Sequence, residues 1–152
     1  MNKIKIKAIQ RKMKQYYSKK RRLLPWRAKK GENQNPYQTL ISEIMLQQTR
    51  VNTVLKYFKK FLKKFPTLKI LALASNEEVL KSWSGMGYYR RAINLHKTAK
   101  IILKDYNGII PSEKKKLINL PGIGDYTSAA ISSFAFGKDE IVIDTNVERF
   151  IT

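Results

Sequence analysis

The chain has 152 residues, sets 31 Lys and Arg against 11 Asp and Glu for a net charge of +20, and contains no cysteine. That length suits one domain with a real core; the lack of cysteine excludes disulfides and thiolate metal sites within these residues, and no apolar run approaches the roughly 20 residues that span a bilayer. The positive charge gathers polyanions, nucleic acid foremost, without naming an activity.

Residues 1–30 hold thirteen Lys or Arg and no acid. No apolar stretch follows this basic start, so no secretory signal is evident and the chain reads as intracellular. "RAKKGENQN" (27–35) is a polar loop ahead of Pro36. In "PYQTLISEIMLQQTRV" (36–51), helical periodicity puts Leu40, Ile44 and Gln47 on one side with Glu43 at its border. A half-buried carboxyl there has a raised pKa and stays protonated near neutrality; the alternative is an exposed glutamate on a surface helix. The amides of Gln47 and Gln48 suit contacts with base edges.

Residues 50–65 carry Val51, Val54, Leu55, Phe58, Phe61, Leu62 and Phe65 at the spacing of one buried helical stripe, and Pro66 stops it. Ser75 with Glu77 and Glu78 reads as an N-cap and acidic first turn. In "WSGMGYYRRAINLH" (83–96), aromatics beside two arginines suit stacking on unpaired bases and holding phosphates; equally, Trp83, Tyr88 and Tyr89 suit a core. His96 has no partner at metal-ligand spacing and reads as a packed residue. The helix over 88–106 ends at Asn107-Gly108.

A short helix over 112–119, the turn "LPGIG" and a helix over 125–136 closed by Gly137 form a helix–hairpin–helix pattern. Gly122 and Gly124 let the backbone approach a phosphate, and the following helix start offers unpaired N–H groups; an ordinary tight corner is the alternative. Ala129, Ala130, Ser132 and Ser133 are small enough for close helix packing. "EIVID" (140–144) is too short for a sheet. Asp144 to Glu148 reads as a cap and first turn, with Thr145 and Glu148 at capping-box spacing. The chain stops two turns later, so the expectation is a single all-α domain, residues 1–152 with the hairpin motif at about 112–136, truncated within a helix. Asp144 could join Glu43 in a two-carboxylate glycosidic-bond mechanism if the two meet in space.

Taken together, "LPWR", "PYQTLISEIMLQQTRV", "YFKKFLKKFPTL", "GMGYYRRAINLH", "LPGIGDYTSAAI" and "VIDTNVERF", in this order over about residues 24–151, resemble the MutY-type adenine DNA glycosylases of the helix–hairpin–helix base-excision superfamily. The resemblance implies the helix–hairpin–helix glycosylase fold and removal of adenine mispaired with 8-oxoguanine or guanine in double-stranded DNA, after the base is flipped out. It implies that Glu43 protonates the leaving adenine and that Asp144 stabilises the sugar cation, oriented by Asn146, with Tyr126 beside them. Gln48 and Tyr88 match residues that wedge into the duplex. Gly122 and Gly124 would give N–H groups to a phosphate, beside a possible monovalent cation.

Endonuclease III-like relatives carry a lysine where Tyr126 stands; without that amine no Schiff base forms, so the enzyme is expected to be monofunctional. Thymine-mismatch glycosylases also resemble the chain around Glu43, Tyr126 and Asp144 but lack "LQQT" and "GYY", and rank second. A non-catalytic DNA-binding hairpin module is the other alternative. One departure is Thr145, where the MutY type has glycine, and a β-branched residue there could shift Asp144. The resemblance further implies a downstream [4Fe–4S] loop of four cysteines and an 8-oxoguanine-reading domain, neither of them in this sequence. The basic amino-terminal helix is therefore expected to be poorly anchored and residues 1–152 alone weakly active. A cytoplasmic, nucleoid-associated monomer without membrane contact completes the expectation.

Overall fold

Asn35 accepts a hydrogen bond from the Gln38 N–H, and Pro36 occupies the first helical position, where no N–H is needed. They start the most enclosed helix of the chain. The structure is a computed structural model that describes residues 3–29, 32 and 34–151. Among those residues nine helices follow one another: α1 Lys3–Lys20, α2 Pro36–Leu46, α3 Val51–Lys64, α4 Leu68–Leu73, α5 Asn76–Trp83, α6 Arg90–Asp105, α7 Lys114–Leu117, α8 Asp125–Phe136 and α9 Thr145–Ile151. No strand occurs among them, so the all-α expectation holds and "EIVID" is irregular. No helix among them is long and apolar enough to cross a membrane.

Eight of the eleven residues of α2 are buried, Glu43 included, because α3, α6 and α8 all pack around it. The apolar stripe of α3 faces inward as its spacing requires: Val54, Phe58, Phe61 and Phe65 are buried. Phe61 meets Phe65 and, edge-on at 5.8 Å, Trp83; Trp26 meets Phe58 edge-on at 5.1 Å. Trp83 is thus a core residue, and its indole N–H donates to the Gly87 carbonyl at 3.1 Å. Trp83→Ala should cost about 3–5 kcal/mol of stability, measured by urea unfolding.

The Ser75 cap is a full capping box: Ser75 Oγ accepts from the Glu78 N–H, and Glu78 accepts from the Ser75 N–H. Gly137 is left-handed (φ 65°) and closes α8, with Gly137 and Lys138 N–H groups bonded to the Ser133 and Ser132 carbonyls. His96 is buried, with Nδ1 2.8 Å from Asn76 Oδ1, a packed residue as its isolation suggests.

Three local expectations need correction. The helix of the 36–51 stretch stops at Leu46, ahead of both glutamines, because Gln48 takes a left-handed φ of 56° without glycine or proline to mark it, and Val51 already opens α3. The helix expected from 88 starts at 90, since Tyr88 is also left-handed (φ 49°). The helix before the hairpin shrinks to Lys114–Leu117. At the carboxy end Asp144 caps α9, as its place before the helix suggests: its Oδ1 accepts from the Asn146 and Val147 N–H groups.

Candidate active site

Glu43 lies on α2 with 8% of its surface exposed, at the wall of a cleft of about 750 Å³. Tyr126 on α8 and Asp144, Thr145 and Asn146 at the start of α9 line the same cleft. The packing of α2 on α8 brings the first two side chains together, and the small buried residues of α8, Ala129 and Ala130 among them, let the helices approach closely.

The two carboxyls sit in opposite surroundings. Burial pushes the Glu43 pKa up to about 7, against the nearby Arg27 charge, which lowers it. Asp144 is held below the usual carboxylate range, chiefly by the Val147 N–H at 2.8 Å and further by Asn146. The Asn146 side-chain amide donates to Asp144 Oδ2 at 3.2 Å and its backbone N–H to Oδ1 at 3.0 Å. The Tyr126 phenol is pushed up to about 12, first by burial and then by the negative charges of Glu43 and Asp144. One phenol thus feels both carboxyls. Near neutral pH the cleft therefore offers one carboxylic acid that can give a proton and one carboxylate that can stabilise a cation. Thr145 leaves Asp144 in the cleft wall.

The amino-terminal arm supplies a wall that the sequence reading did not assign: Tyr17, Arg22, Leu24, Trp26 and Arg27. Side chains of α1 from Lys7 to Lys20 are all exposed, but Trp26 is buried and fixes the arm to the core beside Phe58. With Arg50, the arm brings the arginines lining the cleft to three, and Arg27 is the one whose charge reaches Glu43.

The family of base excision DNA repair proteins called the HhH-GPD superfamily matches residues 41–152. The chain belongs to this superfamily. Among HhH-GPD relatives, it is 47% identical over 136 residues to the adenine DNA glycosylase of Buchnera aphidicola subsp. Baizongia pistaciae, covering 90% of this chain and 38% of that protein. The adenine DNA glycosylase of Homo sapiens is 40% identical over 141 residues, 90% of this chain and 26% of that one. The chain thus spans well under half the length of these curated relatives. A solved structure of a thermostable thymine-DNA glycosylase superposes with a TM-score of 0.85 at 32% identity, over 95% of this chain and 65% of that one. A non-covalent endonuclease III–DNA complex gives 0.79 at 27% identity, over 100% and 68%.

The turn of the hairpin, with Gly122 and Gly124, lies outside the cleft wall, as do Gln48 and Tyr88, whereas Tyr126 and Phe134 of its second helix line it. Gly122 has φ 77°, and a Cβ there would stand 2.8 Å from Asn94 Cβ. Gly122→Ala should therefore lower the unfolding free energy by about 1–3 kcal/mol, read from denaturant midpoints. Gly124 has φ −93°, and a Cβ on it would meet nothing within 4 Å. The Ile123 N–H bonds the Leu120 carbonyl, whereas no hydrogen bond among the described residues engages the Gly122 or Gly124 N–H.

Gln47 lines the cleft, but its amide nitrogen donates to the Gly122 carbonyl at 3.1 Å and Thr127 Oγ1 at 3.2 Å, tying α2 to the hairpin. Gln48 and Tyr88 are both exposed, Tyr88 by 59%. Arg91, read from sequence as one of a phosphate-holding pair, is instead buried, because backbone carbonyls around it compensate its charge. No residue-type signal distinguishes it from the neighbouring Arg90.

Proposed function

We propose that this chain is the catalytic part of an adenine DNA glycosylase that hydrolyses the N-glycosidic bond of adenine mispaired with 8-oxoguanine or guanine in duplex DNA. The observation that carries the proposal is the cleft shared by Glu43, which burial favours in its protonated form, and Asp144, which its N–H partners favour as the carboxylate. Glu43 gives its proton to a ring nitrogen of the flipped adenine, so the electron pair of the breaking C1′–N9 bond leaves on a neutral base. Asp144, oriented by Asn146, stabilises the oxocarbenium-like sugar. Water adds to C1′ and returns a proton to the Glu43 carboxylate, which completes a hydrolysis. Tyr126 has no amine, so the strand stays unbroken until alkali is added. The adenine reading is favoured over the thymine one by 40–47% identity to adenine glycosylases against 32% to the thymine enzyme.

DNA binding fits the net charge of +20 and the arginines around the cleft. Gln48 and Tyr88 act as wedges from outside it, and the free Gly122 and Gly124 N–H groups hold a backbone phosphate. Gly124→Ala should leave stability within about 0.5 kcal/mol while weakening duplex affinity, because a methyl would occupy the open approach to the phosphate. Fluorescence anisotropy on a short duplex checks this. A monovalent cation at the hairpin would use second lone pairs, since the Leu120, Pro121, Gly122 and Gly124 carbonyls each already accept a hydrogen bond.

An iron–sulfur cluster does not fit the residues present. The sequence has no cysteine, and the described residues hold no group of three or more His, Cys, Asp or Glu that could bind a metal. A [4Fe–4S] cluster in the full-length protein would take its ligands from elsewhere, and none of the steps above passes through it.

The pH profile tests the mechanism. With Asp144 ionised throughout and Glu43 titrating at about 7, the single-turnover rate should be flat below pH 7 and fall about tenfold per unit above it. A rate that rises through pH 7 would reassign Glu43 as a base.

A further inference from the structure

The only three non-glycine residues with positive φ among the described residues are Gln48, Tyr88 and Asn107. Asn107 ends α6 in the ordinary way, next to Gly108. The other two are an exposed glutamine and an exposed tyrosine, residue types that gain nothing from the left-handed region. They are 40 positions apart in sequence, yet both are fixed by the side chain of Arg91.

Arg91 Nη1 donates to the carbonyls of Ile44 (3.2 Å), Met45 (2.7 Å) and Gln47; Nη2 donates to the Gly87 carbonyl at 3.3 Å. The Gln47 carbonyl belongs to the peptide plane that precedes Gln48, and the Gly87 carbonyl to the plane that precedes Tyr88. Rotation of each plane about its following N–Cα bond is the φ angle in question. One guanidinium thus holds both planes. It also lies 5.4 Å from the Trp83 ring centroid and 5.3 Å from that of Tyr88, and the Arg91 N–H bonds the Tyr88 carbonyl.

Among the described residues no carboxylate pairs with Arg91, and its buried Nε has no hydrogen-bond partner. Its charge is compensated by the carbonyl end of α2 and by two ring faces. A buried cation without a counter-ion is a costly way to stop a helix when glycine would serve, and the arrangement makes sense if the shared constraint is what matters.

We propose that Arg91 is a positioning residue that locks Gln48 and Tyr88 as one preformed pair. The lock makes the two side chains enter DNA together without first losing conformational freedom. The DNA part of this inference rests on the glycosylase reading above; the lock itself does not. Lysine cannot replace Arg91, because a single ammonium lacks the planar fork that reaches both peptides.

Arg91→Lys and Arg91→Met in the full-length protein separate a lock from mere packing. Amide hydrogen exchange should speed by about tenfold or more at residues 47–49 and 87–89 together, with the rest of α2 and α6 within about twofold. On binding a duplex with 2-aminopurine beside the mispair, the unstacking fluorescence should fall by at least about half, while affinity changes by less than about threefold, since phosphate contacts supply most of it. Gln48→Asn, which tolerates the left-handed region, should restore part of the signal in the Arg91→Lys background.

Wild-type exchange at either segment, or opening spread over the whole α2–α6 contact or the whole chain in both variants, would overturn the proposal. Paired local opening in a protein that releases no adenine would leave the lock standing and remove the glycosylase reading instead.

Discussion

Glu43→Gln should slow adenine release in single turnover by about 10³-fold, or ~4 kcal/mol of transition-state stabilisation, while duplex affinity stays within about threefold. Glutamine has the size of glutamate and fits the same buried place on α2, so the change removes the transferable proton and little else. The variant also has a stability signature. An acid whose pKa rises from 4.5 to about 7 on folding leaves the fold fully stable below 4.5. It loses that stability as pH climbs through 7, because the buried group must then ionise. The loss at pH 8 is of order 3 kcal/mol for a group this buried. Glu43→Gln is therefore expected to be more stable than wild type at pH 8 and equal to it at pH 4, in chemical denaturation at the two pH values. A protein that gains stability when it loses activity holds Glu43 for chemistry.

Asp144→Asn is the second large effect, a loss of about 10²–10³-fold in release rate. Asparagine is as good an N-cap as aspartate, and its side-chain oxygen can still accept from the Val147 N–H that now bonds Asp144. The α9 start is kept and the melting temperature should barely move. What disappears is the negative charge facing the sugar cation. The two variants also differ in pH response: Asp144→Asn keeps the fall above pH 7, because Glu43 still titrates, whereas any residual rate in Glu43→Gln is flat. Profiles that do not differ would mean that the two carboxyls do not divide the work.

The sequence disclosed whatever local periodicity or local capping controls. The α3 stripe, the Ser75–Glu78 box and the Gly137 closure all follow from residues within a few positions of one another. Glu43 and Asp144 are legible as candidates, since a polar residue bordering an apolar face and an aspartate before a helix both stand out. Their meeting in one cleft is not, because 101 positions separate them and only the α2–α8 packing and the α9 start bring them together. The break after Leu46 is illegible for the same reason. Nothing in "LQQTR" stops a helix; Arg91, from another helix, binds the carbonyls that would have continued it. The amide of Gln47 reads as a base contact until Gly122 and Thr127 are found bonded to it. Arg27 and Tyr17 reach the cleft because Trp26 anchors the arm, a tertiary event with no periodic trace.

The central claim is that the Glu43–Asp144 cleft hydrolyses the adenine glycosidic bond without attacking the strand. It is tested most directly by incubating the full-length protein with a duplex holding adenine opposite 8-oxoguanine, and a second holding thymine opposite guanine, and measuring free base and strand breaks before and after alkali. The account predicts free adenine from the first duplex, breaks there only after alkali, and no thymine from the second. Thymine release with adenine left in place, or breaks that need no alkali, would contradict it.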